Sequence, residues 1–263
     1  APGFNALPYV VYKKCVAILK LYVVIANKIW VERSIPQEWA IAYMILLSKS
    51  DVLDLPTEFR PIALTNCDGK LFFSVIAERM ESFMVRNNFI DRKVQKGFLA
   101  GIPGCPEHAF MLWEALKAAK VEQRQIVTVW IDLANAYGSV AHNLIQFALE
   151  WYHVPLLIRE LLMDYYDKLC AQVTANGWAT GFFLFDIGLF QGCVLSTILF
   201  DVVFNLLLDF LAPLKEKHSF KFKCGIRKLL LGYADDLTIV AKNPQSTQTV
   251  LSYTTIGSSG PAL

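Results

Sequence analysis

Apolar residues near the start of the chain recur at helical spacing, with Val11, Cys15, Ile18, Tyr22, Ile25 and Ile29 on one stripe, and predict a helix over 9–31. The pattern then shortens to strand length. An apolar run over 41–47 ends at Ser48-Lys49, and a second run over 59–64 follows a polar loop. Helical spacing returns over 69–87, where Leu71, Val75, Ile76, Met80 and Phe83 are expected inward, and over 107–124, with Ala109, Leu112, Trp113 and Leu116 as the buried stripe. Ile126–Ile131 reads as a buried strand, and Ser139 as the cap of a helix over 141–152. A helix over 154–167, a hairpin over 170–186 and a long helix over 198–211 complete the middle of the chain.

Two of these elements deliver carboxylates. Ile126–Ile131 ends at Asp132, and an uncompensated acid at the end of an apolar strand is costly to bury. Over 229–242, two apolar runs flank Tyr233-Ala234-Asp235-Asp236, which reads as a hairpin with adjacent acids at its tip. Neighbouring strand residues face opposite ways, so the turn must bend before Asp235 and Asp236 can look in one direction. Taken alone, an Asp-Asp pair is as well explained by a solvated turn. Asp132 and Asp235 together are two strand-end acids able to converge, the donor set that Mg²⁺ shares with phosphate oxygens. Lys49 and Arg60 stand at facing ends of two strands, where cations could neutralise a triphosphate, although spacing alone equally allows two exposed loop cations. Gln191-Gly192 lies in a loop entering the long helix. The glycine permits close approach and the glutamine can hydrogen-bond, a weak signal in isolation.

Composition narrows the options. The 263 residues suit one large domain or two small ones, and 55% are hydrophobic. No membrane span is expected, since 16–30 is broken by Lys20 and Lys28, and 200–214 by Asp201, Asn205 and Asp209. Without a signal peptide or initiator Met, the chain is expected to be a piece of a longer polyprotein. Six scattered cysteines suggest reduced thiols in place of a zinc site or a disulfide framework. The net charge of +2 hides an uneven spread: 13 Lys and Arg against 9 Asp and Glu over 1–100, 5 against 11 over 101–214, and 6 against 1 over 215–228. Basic segments bracketing an acidic middle suit a nucleic-acid clamp over a metal-binding floor. The glycine-punctuated loop over 96–104 lacks the spacing of a P-loop, which excludes an ATPase of that type.

Taken in order, Phe59–Leu64, Asp132–Val140 with Tyr137 five residues after its acid, Gln191-Gly192 with Leu195-Ser196, and Tyr233-Ala-Asp-Asp resemble the motif series of reverse transcriptases. The segments Leu133–His142, Phe190–Ser196 and Gly97–Gly101 resemble non-LTR (LINE-type) retrotransposons, of the class that carries a restriction-like endonuclease elsewhere. The resemblance covers residues 40–245, with residues 1–40 as an extension preceding the fingers and 246–263 as a disordered tail. It implies an α+β fold: the fingers and palm of a right-hand polymerase, a small antiparallel palm sheet backed by helices, and no thumb.

It further implies RNA-directed DNA polymerase activity, two-metal transfer of dNTPs onto a DNA 3′ end with an RNA template, inside a retrotransposon polyprotein acting in the nucleus at the site of integration. Asp132, Asp235 and Asp236 are then the catalytic, Mg²⁺-binding acids, with Mn²⁺ as a substitute ion. Lys49, Arg60, Tyr137, Gln191 and Gly192 bind the nucleotide, Tyr137 as steric gate against a 2′-hydroxyl, and Tyr233 supports the primer. Thr197 stands where the family places proline after Leu-Ser, and the later block with its proton-donating lysine is not recognisable. Two alternatives stay open: a decayed, inactive remnant, or an RNA-binding module using the N-terminal and 215–228 basic segments, where Phe220 and Phe222 are interleaved.

Overall fold

The structure is a computed structural model that describes residues 2–49, 55, 58–102, 104–175 and 177–258. In chain order the elements are α1 (Tyr9–Lys14), α2 (Val16–Glu32), β1 (Ile41–Ser48), β2 (Phe59–Leu64), α3 (Cys67–Arg86), α4 (Cys105–Val121) and β3 (Val127–Ile131). Then come α5 (His142–Trp151), α6 (Leu156–Asp167), β4 (Cys170–Ala175), β5 (Trp178–Ala179), β6 (Phe183–Leu184) and α7 (Val194–Leu211). The last are α8 (Lys215–His218), β7 (Phe220–Lys221), β8 (Arg227–Lys228), β9 (Leu230–Tyr233), β10 (Asp236–Ala241) and α9 (Pro244–Ser258). They fall into two compact units, one of residues 1–80 and 137–197, the other of 81–136 and 198–263.

The first unit is built on a sheet of order β2-β1-β4-β5, with β6 also on β4. β1 runs antiparallel to β2, Leu47 opposite Arg60, and parallel to β4. Its core carries an aromatic chain in which Trp39 meets Phe72 at 5.5 Å and Phe73 meets Tyr165 at 4.5 Å between ring centroids. Such tilted pairs add to the area they bury.

The second unit holds the antiparallel sheet β3-β10-β9. β10 is its centre, with Ile239 and Val240 fully enclosed, as a middle strand covered on both faces requires. Ala115 and Ala119 of α4 close on Leu231, Val240 and Phe220, and their small side chains let the helix sit close to the strands. α9 packs against β3 and β10.

Several expectations are corrected. The first helix is two, broken at Cys15 (φ −107°, ψ 96°), and of the predicted stripe only Ile29 is buried. On α4 the buried line is His108, Ala115 and Ala119, whereas Trp113 is 56% exposed and Leu116 is open. The stripe sits one residue away from the sequence assignment, a rotation of about 100°, because a histidine takes an inner place. β3 is only half-buried, and its Trp130 is 67% exposed. On α3, Ile76 and Met80 face inward as expected, but Val75 does not.

Ser139 lies in a 3₁₀ turn (Tyr137–Ser139), and α5 begins after Ala141 with no side-chain cap. The tail expected to be disordered is helical through Ser258, with Val250 and Thr254 buried; residues 259–263 lie outside the described residues. The helical run Val194–His218 does have the length and apolar composition of a membrane span, and 72% of that window is buried inside the protein. A core helix is apolar all round for the same reason.

Candidate polymerase active site

β9 and β10 meet in a two-residue turn, Ala234-Asp235, with Tyr233 paired to Asp236. The ladder between β10 and β3 places Leu237 opposite Ile131, so one step further Asp236 comes opposite Asp132. Strand alternation then puts Tyr233, Asp236 and Asp132 on one face of the sheet, at the same end, with Asp235 at the tip beside them. The cross-strand partner of Asp132 is thus Asp236, whereas the sequence reading paired it first with Asp235. Asp132 and Asp236 also line a cavity of about 410 Å³ whose other walls are Tyr233, Trp130, Thr238 and the first turns of α4.

Electrostatics supports this gathering of acids. Partial burial, then the negative charges of Asp235 and Asp132, raise the Asp236 carboxyl above the ordinary aspartate range. Like charges held together without a counter-ion repel, and a bound cation relieves the repulsion. Among the described residues no group of three or more His, Cys, Asp or Glu side chains is assembled as a metal site. The donor set nevertheless fits a hard cation. Mg²⁺ takes carboxylate oxygens, keeps several waters, and completes its shell from substrate phosphates without needing a protein cage.

The turn is held from beneath by residues that the sequence reading passed over. Gln95, only 1% exposed, accepts the Ala234 N–H at 2.9 Å and the Gly97 N–H at 2.8 Å through Oε1, and donates Nε2–H to the Ala234 carbonyl at 3.1 Å. Ala234 has φ 55°, a left-handed conformation that costs an alanine energy and needs external support. Gly97 is pressed against it, and a Cβ there would lie 2.1 Å from the Ala234 nitrogen. Segment 94–96 continues the sheet, since Gly232 N–H donates to Val94 O at 2.8 Å and Lys96 N–H to Gly232 O at 3.0 Å.

His108 Nε2 donates to Val94 O (2.8 Å) and Gly232 O (3.1 Å), which fixes its tautomer. Burial lowers its pKa against the pull of the two carbonyls, with help from Lys96 and Lys228. Lys96 forms an ion pair with Glu107 on α4. The available signal was Gln95-Lys-Gly97 next to a glycine-rich loop, but nothing in one sequence says that a glutamine will bond only to backbone.

The remaining predicted residues lie in the first unit. Ser48 is the last residue of β1, Lys49 N–H donates to Glu58 O at 2.8 Å, and Arg60 is on β2, so both cations stand at one end of the hairpin and, by alternation, on one face. Gln191 O accepts the Ala63 N–H at 2.7 Å, bringing that loop against β2. Gly192 has φ 108°, and a Cβ there would meet Ala63 O at 2.8 Å, so glycine is required both for conformation and for space. The side-chain Oε1 of Gln191 is enclosed with no hydrogen-bond partner among the described residues, an acceptor available to a ligand. Tyr137 is half-buried, and its carbonyl accepts the Leu189 N–H at 2.7 Å, next to the same loop.

The family model described as reverse transcriptase (RNA-dependent DNA polymerase) matches residues 47–255. The chain belongs to the reverse transcriptase family. This reverse transcriptase domain is 25% identical over 221 residues to the retrovirus-related Pol polyprotein from type-2 retrotransposable element R2DM of Drosophila melanogaster, covering 84% of the chain and 20% of that protein. It is 25% identical over 224 residues to the Pol polyprotein from type-1 retrotransposable element R2 of Popillia japonica, covering 83% and 30%. The chain thus spans less than a third of the length of these relatives. Their kind agrees with the non-LTR resemblance read from the motifs.

A solved telomerase from Candida tropicalis, in complex with a fragment of telomeric RNA, shares the fold: the TM-score is 0.58 at 11% identity, over 86% of this chain and 40% of that one. The α+β fingers-and-palm assignment stands. The family generally uses divalent metal ions.

Proposed function

We propose that this domain is the RNA-directed DNA polymerase of a retrotransposon polyprotein, adding dNTPs to a DNA 3′ end on an RNA template with two Mg²⁺ ions. The observation that carries this reading is the placing of Asp132, Asp235 and Asp236 at one end of one sheet, beside Tyr233, on a turn pinned by Gln95. Three hard-oxygen donors with mutual repulsion are costly to keep unless a cation uses them.

Asp132 and Asp235 take the role of metal ligands, with Asp236 assisting from its place opposite Asp132. Bound divalent ions would supply a more acidic primer 3′-hydroxyl and neutralise charge developing on the leaving pyrophosphate. The protein's share is alignment and electrostatics. Tyr233, exposed on the same face as Asp236, supports the primer end. In the first unit Lys49 and Arg60 hold triphosphate oxygens, Gln191 and Gly192 line the template–nucleotide pair, and Tyr137 occupies the space of a 2′-hydroxyl. We place its action in the nucleus, at the site of integration, alongside other domains of the polyprotein.

The test is extension of oligo(dT) on poly(rA) with Mg²⁺, comparing wild type with Asp235→Ala. The expected result is extension by wild type and none by the variant. Equal extension by both, or wild-type extension that ignores Mg²⁺, overturns the metal assignment.

A further inference from the structure

Away from the acids, the second unit contains a cavity of about 360 Å³ with a different lining. Its floor is aliphatic, made by Leu208, Ala212, Ile226 and Leu230, and its cations are Lys93, Lys215, Arg227 and Lys228. Three separate stretches of sequence bring them together. Leu230 lies three residues before Tyr233, so the cavity begins roughly 10 Å along the strand from the turn. Arg227 is paired with Glu216 at 3.0 Å. Lys228 is half-buried, and its ammonium has neither ion pair nor hydrogen bond among the described residues.

Two acids also line the cavity, each accepting a local hydrogen bond while keeping its charge. Asp91 Oδ1 accepts the Lys93 N–H at 2.8 Å, and Asp209 Oδ2 accepts from Asn205 Nδ2 at 3.2 Å. Burial, then Lys215, lower the Lys228 pKa; Asp91 opposes them, and Lys96 and Lys93 add smaller effects in the lowering direction. A half-buried cation with no ion-pair partner among the described residues, set beside Lys215 and Lys93, has room for an anion that Asp91 does not replace.

We propose that this cavity holds one nucleotide of a bound nucleic-acid strand, its phosphate on Lys228, Lys215 and Lys93 and its sugar and base over the aliphatic floor. The volume is at the lower end for a small-molecule site, and a single phosphate would leave most of it empty. The apolar floor beside a cationic rim matches a nucleotide, which carries both characters. For its partner the assignment rests on the polymerase reading, and it gives Lys215 and Lys228 of the basic segment a task apart from the carboxylates.

The test measures binding of a fluorescently labelled single-stranded 12-mer by anisotropy across a salt series. It compares wild type, Lys228→Met, and Lys223→Met as a control on the same hairpin outside the cavity. Lys228→Met is expected to weaken binding about fivefold and to reduce the salt slope by about 0.7, the contribution of one phosphate on a single strand. Lys223→Met is expected to change neither, and thermal melts should be alike in all three proteins. Equal losses in the two variants, or no binding by wild type, overturn the cavity. Displacement of the 12-mer by millimolar AMP or inorganic phosphate overturns the strand as source and points to a free ligand. A null result at Lys228 leaves primer extension, which reports on Asp132 and Asp235, unaffected.

Discussion

Gln95→Leu removes the amide beneath the carboxylate turn while nearly conserving its volume. Three backbone groups lose their partner: the N–H and C=O of Ala234 and the N–H of Gly97. Each orphaned buried polar group costs about 1–3 kcal/mol. The low end, summed over three, gives about 3 kcal/mol, a large part of the ~5–15 kcal/mol that holds a domain folded. The left-handed Ala234 loses its support at the same time, so the turn is where the loss should appear. If unfolding is cooperative, the melting temperature should fall by roughly 6–12 °C. If the turn releases locally, Ala234 amide protection should drop about a hundredfold with a smaller melting shift.

Gly97→Ala attacks the same contact from the other side, because its Cβ would sit 2.1 Å from the Ala234 nitrogen. It should reproduce the loosened turn. Hydrogen exchange followed by NMR, with primer extension alongside, reads both variants. A Gln95→Leu protein that melts within about 1 °C of wild type, with unchanged Ala234 exchange, would refute the clamp.

Two further outcomes are expected. Asp201, buried at 1% exposure with no hydrogen-bond partner for either oxygen among the described residues, is pushed up to about 8 by burial and by Glu81. Its ionisation therefore costs more in the folded state, and the penalty grows from the unfolded pKa near ~4 up to about pH 8. Asp201→Asn should gain stability relative to wild type by roughly 1.4 kcal/mol per pH unit across that window and nothing below it, as urea unfolding at several pH values would show; parallel curves would contradict the burial argument. Tyr137→Ala should raise ribonucleotide incorporation in primer extension at least tenfold, about 1.4 kcal/mol of lost discrimination, and an unchanged ratio removes the steric-gate role.

The longer strands were legible as apolar runs of strand length, whereas the two-residue strands β7 and β8 within the basic segment were not. The carboxylates were legible because an acid ending an apolar strand stands out at Asp132 and again at Asp235-Asp236. What escaped was the support. Gln95 and His108 are polar residues whose partners are main-chain groups, and a sequence carries no label for those. His108 also displaced the expected stripe of α4, since a ring whose Nε2–H is met by two carbonyls can be buried where an apolar residue was sought. The C-terminal stretch was expected to be unstructured from its Gly- and Pro-containing end, Gly257–Leu263, most of which lies outside the described residues. In the structure Thr247, Thr249, Ser252, Thr254 and Thr255 each donate a hydroxyl to the carbonyl four residues back, satisfying themselves inside a helix of low propensity.

That last helix has a practical bearing on how the domain is cut. Boundaries drawn where the recognisable polymerase motifs stop, near residue 245, would sever α9 at its first turn and strip the lid from β3 and β10. The enclosed Val250 and Thr254 would go with it, leaving the back of these two strands wet. A stump of that kind would be expected to clump in the tube, and its silence in an assay would say nothing about the acids at the other end of the sheet.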